Sequence, residues 1–336
     1  MPLLSLQRAT ELATQALCQA GANLPMAQAT AQALVRAHAQ GLASHGLHRV
    51  SQYATHLRNG RANGQARAQV VRRQSATLLI DAQEGLAFEA CALAVSQAMV
   101  AAREHGVCLA GVTRSHHAGV MVDHLRPVAE AGMVGLAMTN SPAAMPVAGG
   151  KRPLLGTNPV AAVFPRAHGD PLLIDLSLSE VARGKLMVAA KEGKPIPSGW
   201  ALDAAGQPTT DPKEGLNGMM LALGGGAKGA TLALMVELLV SALIGAHFSF
   251  EASSFFVDEG NAPQLGQLFL IIHPQGLAGS DAMAQRIEQF IAEMQRDPDV
   301  RLPGAQRLAR ERQAAAHGLE IEDALYAQLT ALAGAS

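Results

Sequence analysis

The strand-like runs of this 336-residue chain are confined to its middle, while both ends carry helical spacing. That order limits the fold more than any single motif does. Leu and Ala recur three and four residues apart through 11–20 and 26–40, and 49–58 continues the pattern, so residues 3–60 read as helix. Arg58-Asn-Gly-Arg-Ala-Asn-Gly is a loop. Residues 69–81, ending VVRRQSATLLID, read as strands, and 88–104 as a helix closed by Gly106. From 107 to about 180, VCLAGV, GLAMTN, AAVFP and LLIDLSL are strand candidates, with a helix over 119–131. SSFFVD and GQLFLIIHP form a second strand group after an apolar helix over 230–246 that carries Glu237. The tail from Ser280 to the end is helical, interrupted near 297–303. The helical ends should therefore meet as one layer, 1–68 with 280–336, against a sheet-based unit over 69–279.

A doubly wound nucleotide fold needs strict strand–helix alternation and G-x-G-x-x-G directly after a strand. Neither is present. Gly224-Gly-Gly-Ala-Lys-Gly opens a helix with no strand immediately before it.

Composition narrows the function classes. Hydrophobic residues are 49% and charged residues 16%, enough apolar surface for a core. A formal net charge of −1 supplies no field for nucleic acid or anionic membrane, and 3% aromatics leave little for base stacking. Cys18, Cys91 and Cys108 are scattered without a CxxC pair, which fits a reducing cytoplasm. The N-terminus reads as an amphipathic helix rather than a signal peptide, and 230–246 is short for a bilayer. We expect no membrane segment.

Five clusters have the chemistry for a site. In Ser44-His45-Gly-Leu-His48-Arg49, a histidine can exchange a proton near neutral pH and an arginine can hold a carboxylate. Four residues separate His45 from Arg49, so on a helix they share a face. A histidine-rich helix start capped by Ser44 is the plainer alternative. Ser115-His116-His117-Ala-Gly119 lies between a strand and a helix, where free N–H groups suit a phosphate or an ordinary cap. Gly156-Thr-Asn-Pro159 and Asp175-Leu-Ser-Leu-Ser179 bring hydroxyls and a carboxylate to a strand end, fit for ribose or simply polar. Gly224–Gly229 with Lys228 permits close backbone approach without Walker spacing. Arg301-Leu-Pro-Gly304-Ala-Gln-Arg307 is a basic turn fit for a phosphate or for solvent. The twelve histidines include no HExxH or acid-flanked pair, so we assign no metal, and G-x-S-x-G is missing.

In order, SHGLHRV, SHHAGV, KRPLLGTNP, IDLSLSEVARGK, GWALDAAGQPTTDP, GGGAKGATLALMVELL, GQLFLIIHP and RLPG run over nearly the whole chain. Together they resemble the type-2 malate/L-lactate dehydrogenase family. The resemblance implies an α/β fold of the α+β type. A large, mostly antiparallel sheet would bind NAD(P)H without a Rossmann fingerprint, under a helical layer from both chain ends. It also implies a homodimer acting on a small-molecule substrate.

Carried over residue by residue, His45 would exchange the proton, with Ser44 as its partner and Lys185 as a further catalytic group. Arg49 and His117 would touch substrate. His117, Ala118, Gly119, Val120, Met121, Asp175, Leu176, Ser177, Lys228, Gly229, Arg301, Gly304, Ala305, Gln306 and Arg307 would contact the cofactor. Arg301 and Arg307 tilt the expectation toward NADP. Gly184-Lys185 is similar to the hydroxyacid branch, where imine reductases carry an aspartate. HFSFE at 247–251 is similar to the imine-reductase branch, and 175–190 with 253–256 to sulfolactate-type members. The substrate is left between a 2-hydroxy or 2-oxo acid and a cyclic imino acid, with a metal-dependent lyase or hydrolase as a distant alternative.

Overall fold

The structure is a computed structural model that describes residues 1–334; the last two residues of the expected helical tail lie outside the described ones. The N-terminal segment holds β1 (Leu3–Leu4), α1 (Leu6–Gln19), α2 (Leu24–Ala39) and α3 (Arg49–Arg58). Next come β2 (Gln69–Gln74), β3 (Thr77–Asp81), α4 (Ala87–His105), β4 (Val107–Ser115), α5 (Met121–His124) and α6 (Arg126–Glu130). β5 (Val134–Thr139), β6 (Val160–Phe164), β7 (Leu172–Leu176) and α7 (Arg183–Glu192) follow. β8 (Ala201–Leu202), β9 (Pro208–Thr209), α8 (Pro212–Asn217) and β10 (Met219–Met220) make a small subsidiary unit. The chain ends with α9 (Ala227–Glu237), β11 (Leu265–Ile272), α10 (Ser280–Met294), α11 (Ala305–His317), β12 (Leu319–Glu320) and α12 (Asp323–Leu332).

Seven strands form the main sheet in the order β2-β3-β4-β11-β5-β6-β7. Only β3 and β4 pair in parallel, bridged by α4; every other neighbouring pair is antiparallel. Successive side chains of β11 point to opposite faces. Phe269 and Ile271 enter a core with Ile80, Ala110, Val112, Ala137 and the alanine face of α4. Leu268 enters a second core, on α9, with Ala233, Val236 and Val240. A third joins α1, α2 and α3 to α12 and to Ala314 of α11. Leu3 and Leu4 also pair with Glu320 and Leu319, which brings the two ends of the chain together. α10 contributes nothing to that terminal layer. Its one buried residue is Ile291, and Glu288 pairs with Arg166 of the β6–β7 connection.

Three sequence expectations need correction. SSFFVD is a loop, because buried Arg61 takes the carbonyls of Ser253, Ser254, Val257 and Asn261 that a strand would give to a ladder. The helix over 119–131 is two short pieces, α5 and α6, meeting at Leu125 just before Pro127, which has no N–H to donate. The apolar helix begins at Ala227 and widens to a π-helical stretch over Leu238–Ala242. Gly266 of β11 lies against this stretch, where a Cβ would overlap the Val240 carbonyl. The subsidiary unit between α7 and α9 had no sequence expectation at all.

Glu237 ties α9 to two loops. It is 3% exposed and accepts from Asn158 Nδ2 at 2.7 Å, Ser249 N at 2.6 Å and Ser249 Oγ at 2.6 Å. Asn158 sits at φ +39°, a left-handed conformation that asparagine tolerates better than most residues. Glu237→Ala should strand these buried donors at about 1–3 kcal/mol each. The expected readout is a lower urea midpoint with an unchanged slope.

Candidate active site

A cavity of about 550 Å3 opens where the α2–α3 turn, the ends of β4 and β7, the start of α7, the 254–256 loop and α11 converge. Its size suits a small-molecule ligand. Ser44, His45 and Arg49 line it together. They do not share a helix: His45 ends a single 3-10 turn over Ala43–His45, and Arg49 begins α3. The Arg49 Nε instead donates back to the Ser44 carbonyl at 2.7 Å, which fixes the turn against the helix. Ser44 Oγ lies 3.1 Å from His45 Nδ1, leaving Nε2 as the ring nitrogen free to exchange a proton.

Burial first, then the charges of Arg49 and Arg307, lower the His45 pKa to about 4. Its imidazole is therefore neutral at pH 7 in the ligand-free site. His117 also lines the cavity, its ring 5.6 Å from that of His45, and Tyr53 Oη contacts its Nδ1 at 2.6 Å. Burial, followed by Arg49, holds His117 well below the usual imidazole range.

His116 lies behind the cavity, fully buried. Arg61 Nη1 can only donate, so His56 Nε2 accepts from it at 3.1 Å. His56 Nδ1 then donates to His116 Nε2 at 2.9 Å. That chain leaves the His116 proton on Nδ1, which has no protein partner. Ser115 caps nothing here; its hydroxyl turns to the His116 carbonyl, and α5 has only four residues. The expected long-helix anion site at 115–119 is not built.

The other expected residues divide. Gly119, Val120, Met121, Asp175, Leu176, Ser177 and Arg307 line the cavity, with Thr157 and Pro159 beside them. Ala118 is buried against the sheet core. Arg307 Nη1 meets Asp175 Oδ2 at 3.1 Å, although 132 residues separate them. Gly304 makes that meeting possible: at φ +87° it is pressed on Leu173, where a Cβ would meet the side chain at 2.6 Å. The Leu173 N–H bonds the Pro303 carbonyl at 3.2 Å, so the RLPG turn docks on β7.

Gly304, Ala305 and Gln306 support Arg307 without lining the cavity, and Arg301 is exposed outside it. Lys228 and Gly229 also lie outside. Lys228 is exposed, Gly229 is packed under the Leu223 carbonyl, and the Gly224 N–H goes to Glu180 at 2.7 Å. Lys185 is exposed with its ammonium 6.0 Å from the Trp200 ring, so its neighbours Arg183 and Gly184, not Lys185, face the cavity.

Sequence reasoning missed Arg183, Gln52, Phe255 and Phe256. Gln52 accepts from Arg49 Nη1 at 2.5 Å and donates to the Phe255 carbonyl. One signal for Arg183 was readable. It begins α7, where a cation opposes the helix dipole and no acid stands in the first turn. Such a local violation marks a site where something else compensates.

The residues present fit a dinucleotide. The Asp175 carboxylate beside the Ser177 hydroxyl suits a ribose diol, and Arg307 suits a phosphate. Burial raises the Asp175 pKa and Arg307 opposes that rise. Among the described residues, no three His, Cys, Asp or Glu side chains are placed to hold a metal, and no helix is long and apolar enough to cross a membrane.

A family model for malate/L-lactate dehydrogenases matches residues 4–330. The (2R)-3-sulfolactate dehydrogenase (NADP(+)) of Chromohalobacter salexigens is 46% identical over 333 residues, 98% of each chain. A Δ1-pyrroline-2-carboxylate/Δ1-piperideine-2-carboxylate reductase of Pseudomonas syringae pv. tomato is 36% identical over 314 residues, 94% of this chain and 91% of that one. Among solved structures, a Δ1-piperideine-2-carboxylate reductase from the same organism superposes with a TM-score of 0.93 at 34% identity, covering 99% of this chain and 100% of that one. The sulfolactate dehydrogenase of Methanocaldococcus jannaschii gives 0.90 at 30%, covering 99% and 97%. The chain belongs to the malate/L-lactate dehydrogenase family and is an NAD(P)-dependent oxidoreductase.

The buried imidazoles set a pH dependence of stability. Burial, then Arg61, lowers His56 to about 4, and burial, then His56, holds His116 far below its usual value. His45 and His117 behave alike. A folded pKa below the unfolded value of about 6.5 contributes stability that is complete above 6.5 and lost as pH falls toward the folded value. Melting temperature measured from pH 7.5 to 4.5 should hold steady to about 6.5 and then decline. A flat profile would contradict the buried, neutral assignment.

Proposed function

We propose that this protein transfers hydride at C2 of a small 2-hydroxy or 2-oxo acid of the malate, lactate or sulfolactate type, with NADP preferred. The observation that carries this is the convergence of His45, Arg49, Asp175 and Arg307 on one cavity. The 46% identity to an NADP-dependent sulfolactate dehydrogenase supports the substrate class and the cofactor preference. When bound, the nicotinamide supplies or accepts the hydride.

Arg49 holds the substrate carboxylate and so fixes C2 relative to His45. His45 exchanges the hydroxyl proton through Nε2, with Ser44 keeping the ring oriented. Neutral in the ligand-free site, His45 is ready to accept a proton when a hydroxy acid is oxidised. A carboxylate on Arg49 offsets one of the charges that depress His45, which eases its protonation for the reverse direction. His117 packs beside the substrate, and Asp175, Ser177 and Arg307 hold the cofactor. Lys185, Lys228 and Arg301 lie outside the cavity.

Reduction of Δ1-piperideine- or Δ1-pyrroline-2-carboxylate is a second reading, supported by the close superposition on the Pseudomonas syringae reductase. The same His45 and Arg49 would serve it.

We also propose a cytoplasmic homodimer. The buried face of α9 and the stretch after it consists of Gly229, Ala230, Ala233, Val236, Glu237 and Val240. The opposite face exposes Leu232, Leu234, Met235, Leu238 and Leu243. An apolar solvent face of this kind calls for a partner surface, and a second copy supplies it.

His45→Ala should lower kcat about 10²–10⁴-fold with little change in cofactor affinity. Arg49→Ala should raise KM and lower kcat together, and Arg49→Lys should recover only part, because a point charge lacks the guanidinium fork. Near-normal turnover in His45→Ala would end the assignment. In sedimentation, the native protein should be a dimer at micromolar concentration and Leu238→Glu should shift it toward monomer.

A further inference from the structure

Resting on the proposed hydride transfer at C2, we infer that Arg183 is a second anion holder, which makes the substrate a dianion with its second charge on C3. The carboxylate holder is already assigned to Arg49, and Arg307 is paired with Asp175. That leaves one cation of the cavity without a task. Arg183 makes a single protein hydrogen bond, from Nη2 to the Leu216 carbonyl at 3.1 Å, and no ion pair joins it or Arg49 among the described residues. Both guanidiniums gather around one ring. The Arg49 Cζ lies 5.3 Å, and the Arg183 Cζ 5.7 Å, from the Phe256 centroid. Two like charges drawn to one aromatic ring in a cavity, with no acid of their own, lack a counter-charge that a ligand would supply.

The backbone agrees with the side chain. Ala182, Arg183 and Gly184 line the cavity at the start of α7, a ten-residue helix whose N-cap, Ala182, has no side chain to satisfy the first N–H groups. An arginine placed there against the helix dipole costs stability in the empty protein. A bound anion reverses that sign, since it favours the dipole and the arginine alike. A monocarboxylate on Arg49 leaves Arg183 uncompensated. A 2-oxo acid with a sulfonate or a second carboxylate on C3 satisfies both ends.

The test is a comparison of substrates on the full-length protein with NADPH. Pyruvate carries one anion; oxaloacetate and 3-sulfopyruvate carry a second on C3. The native protein should favour the dianions by about 100-fold or more in kcat/KM. Arg183→Ala should lower kcat/KM for the dianions about 100-fold, leave pyruvate within about threefold, and leave NADPH affinity by fluorescence titration unchanged; Arg183→Lys should recover part of the loss. A readout independent of turnover is calorimetric binding of 3-sulfopropionate, which has both anions and no carbonyl. Arg183→Ala should weaken it about 100-fold.

Equal use of pyruvate by the native protein overturns the inference and leaves the 2-oxo acid reading standing. Equal losses for pyruvate and the dianions also overturn it. A raised dissociation constant for NADPH in Arg183→Ala assigns the arginine to a cofactor phosphate instead. Turnover of cyclic imino acids alone, with no 2-oxo acid reduced, overturns both this inference and the reading beneath it.

Discussion

The pairing of β11 between β4 and β5 holds the molecule together. Without it the sheet would be two separate pieces, β2-β3-β4 and β5-β6-β7. β11 lies about 150 residues beyond β4 in sequence and more than 120 beyond β5. Its register sets Phe269 opposite both Ala110 and Ala137, so one large ring fills space left by two small neighbours. Its arrival also fixes what precedes it. Gly266 seats the π-helical stretch after α9, and the 247–261 connection must then fold back across the end of the sheet. Phe255 and Phe256 reach the cavity because of that return.

A buried cation shapes the same connection. Arg61 is 1% exposed and spends its donors on four loop carbonyls and on His56. No carboxylate pairs with it among the described residues. The carbonyls serve as its solvent, which is how a buried charge is tolerated without a partner ion. The cavity follows a similar logic with the opposite outcome. Arg49 and Arg183 have few protein acceptors, and neither is joined to a carboxylate among the described residues.

The helical ends and the strand-rich middle were legible because their periodicities differ, 3.6 against 2. α4 could be read almost to the residue, since its alanine face and Gly106 at φ +80° mark both packing and end. Ser44, His45, Arg49, Asp175, Ser177 and Arg307 could be picked out as chemistry and do line one cavity. SSFFVD read as a strand because aromatic residues favour strands; here the rings face a site and the carbonyls face Arg61. Lys185 and Lys228 read as site residues because of their motifs; here Lys185 is exposed beside Trp200 on α7, and Lys228 is exposed in the first turn of α9, outside the cavity. The subsidiary unit between α7 and α9 escaped notice because its strands are two residues long, below the length at which alternation can be seen.

By itself the sequence determined the helical ends around a strand-rich middle, the absence of a glycine fingerprint after a strand, and the spacing of His45 four residues before Arg49. These are local properties, fixed by spacing along the chain. Only the tertiary structure decided which residues meet. Arg307 faces Asp175 because Gly304 permits a turn to press on β7, and Arg183 joins Arg49 because the 253–258 loop is held over the cavity by a side chain nearly 200 residues earlier. Such meetings depend on long-range packing, and no spacing in the chain encodes them.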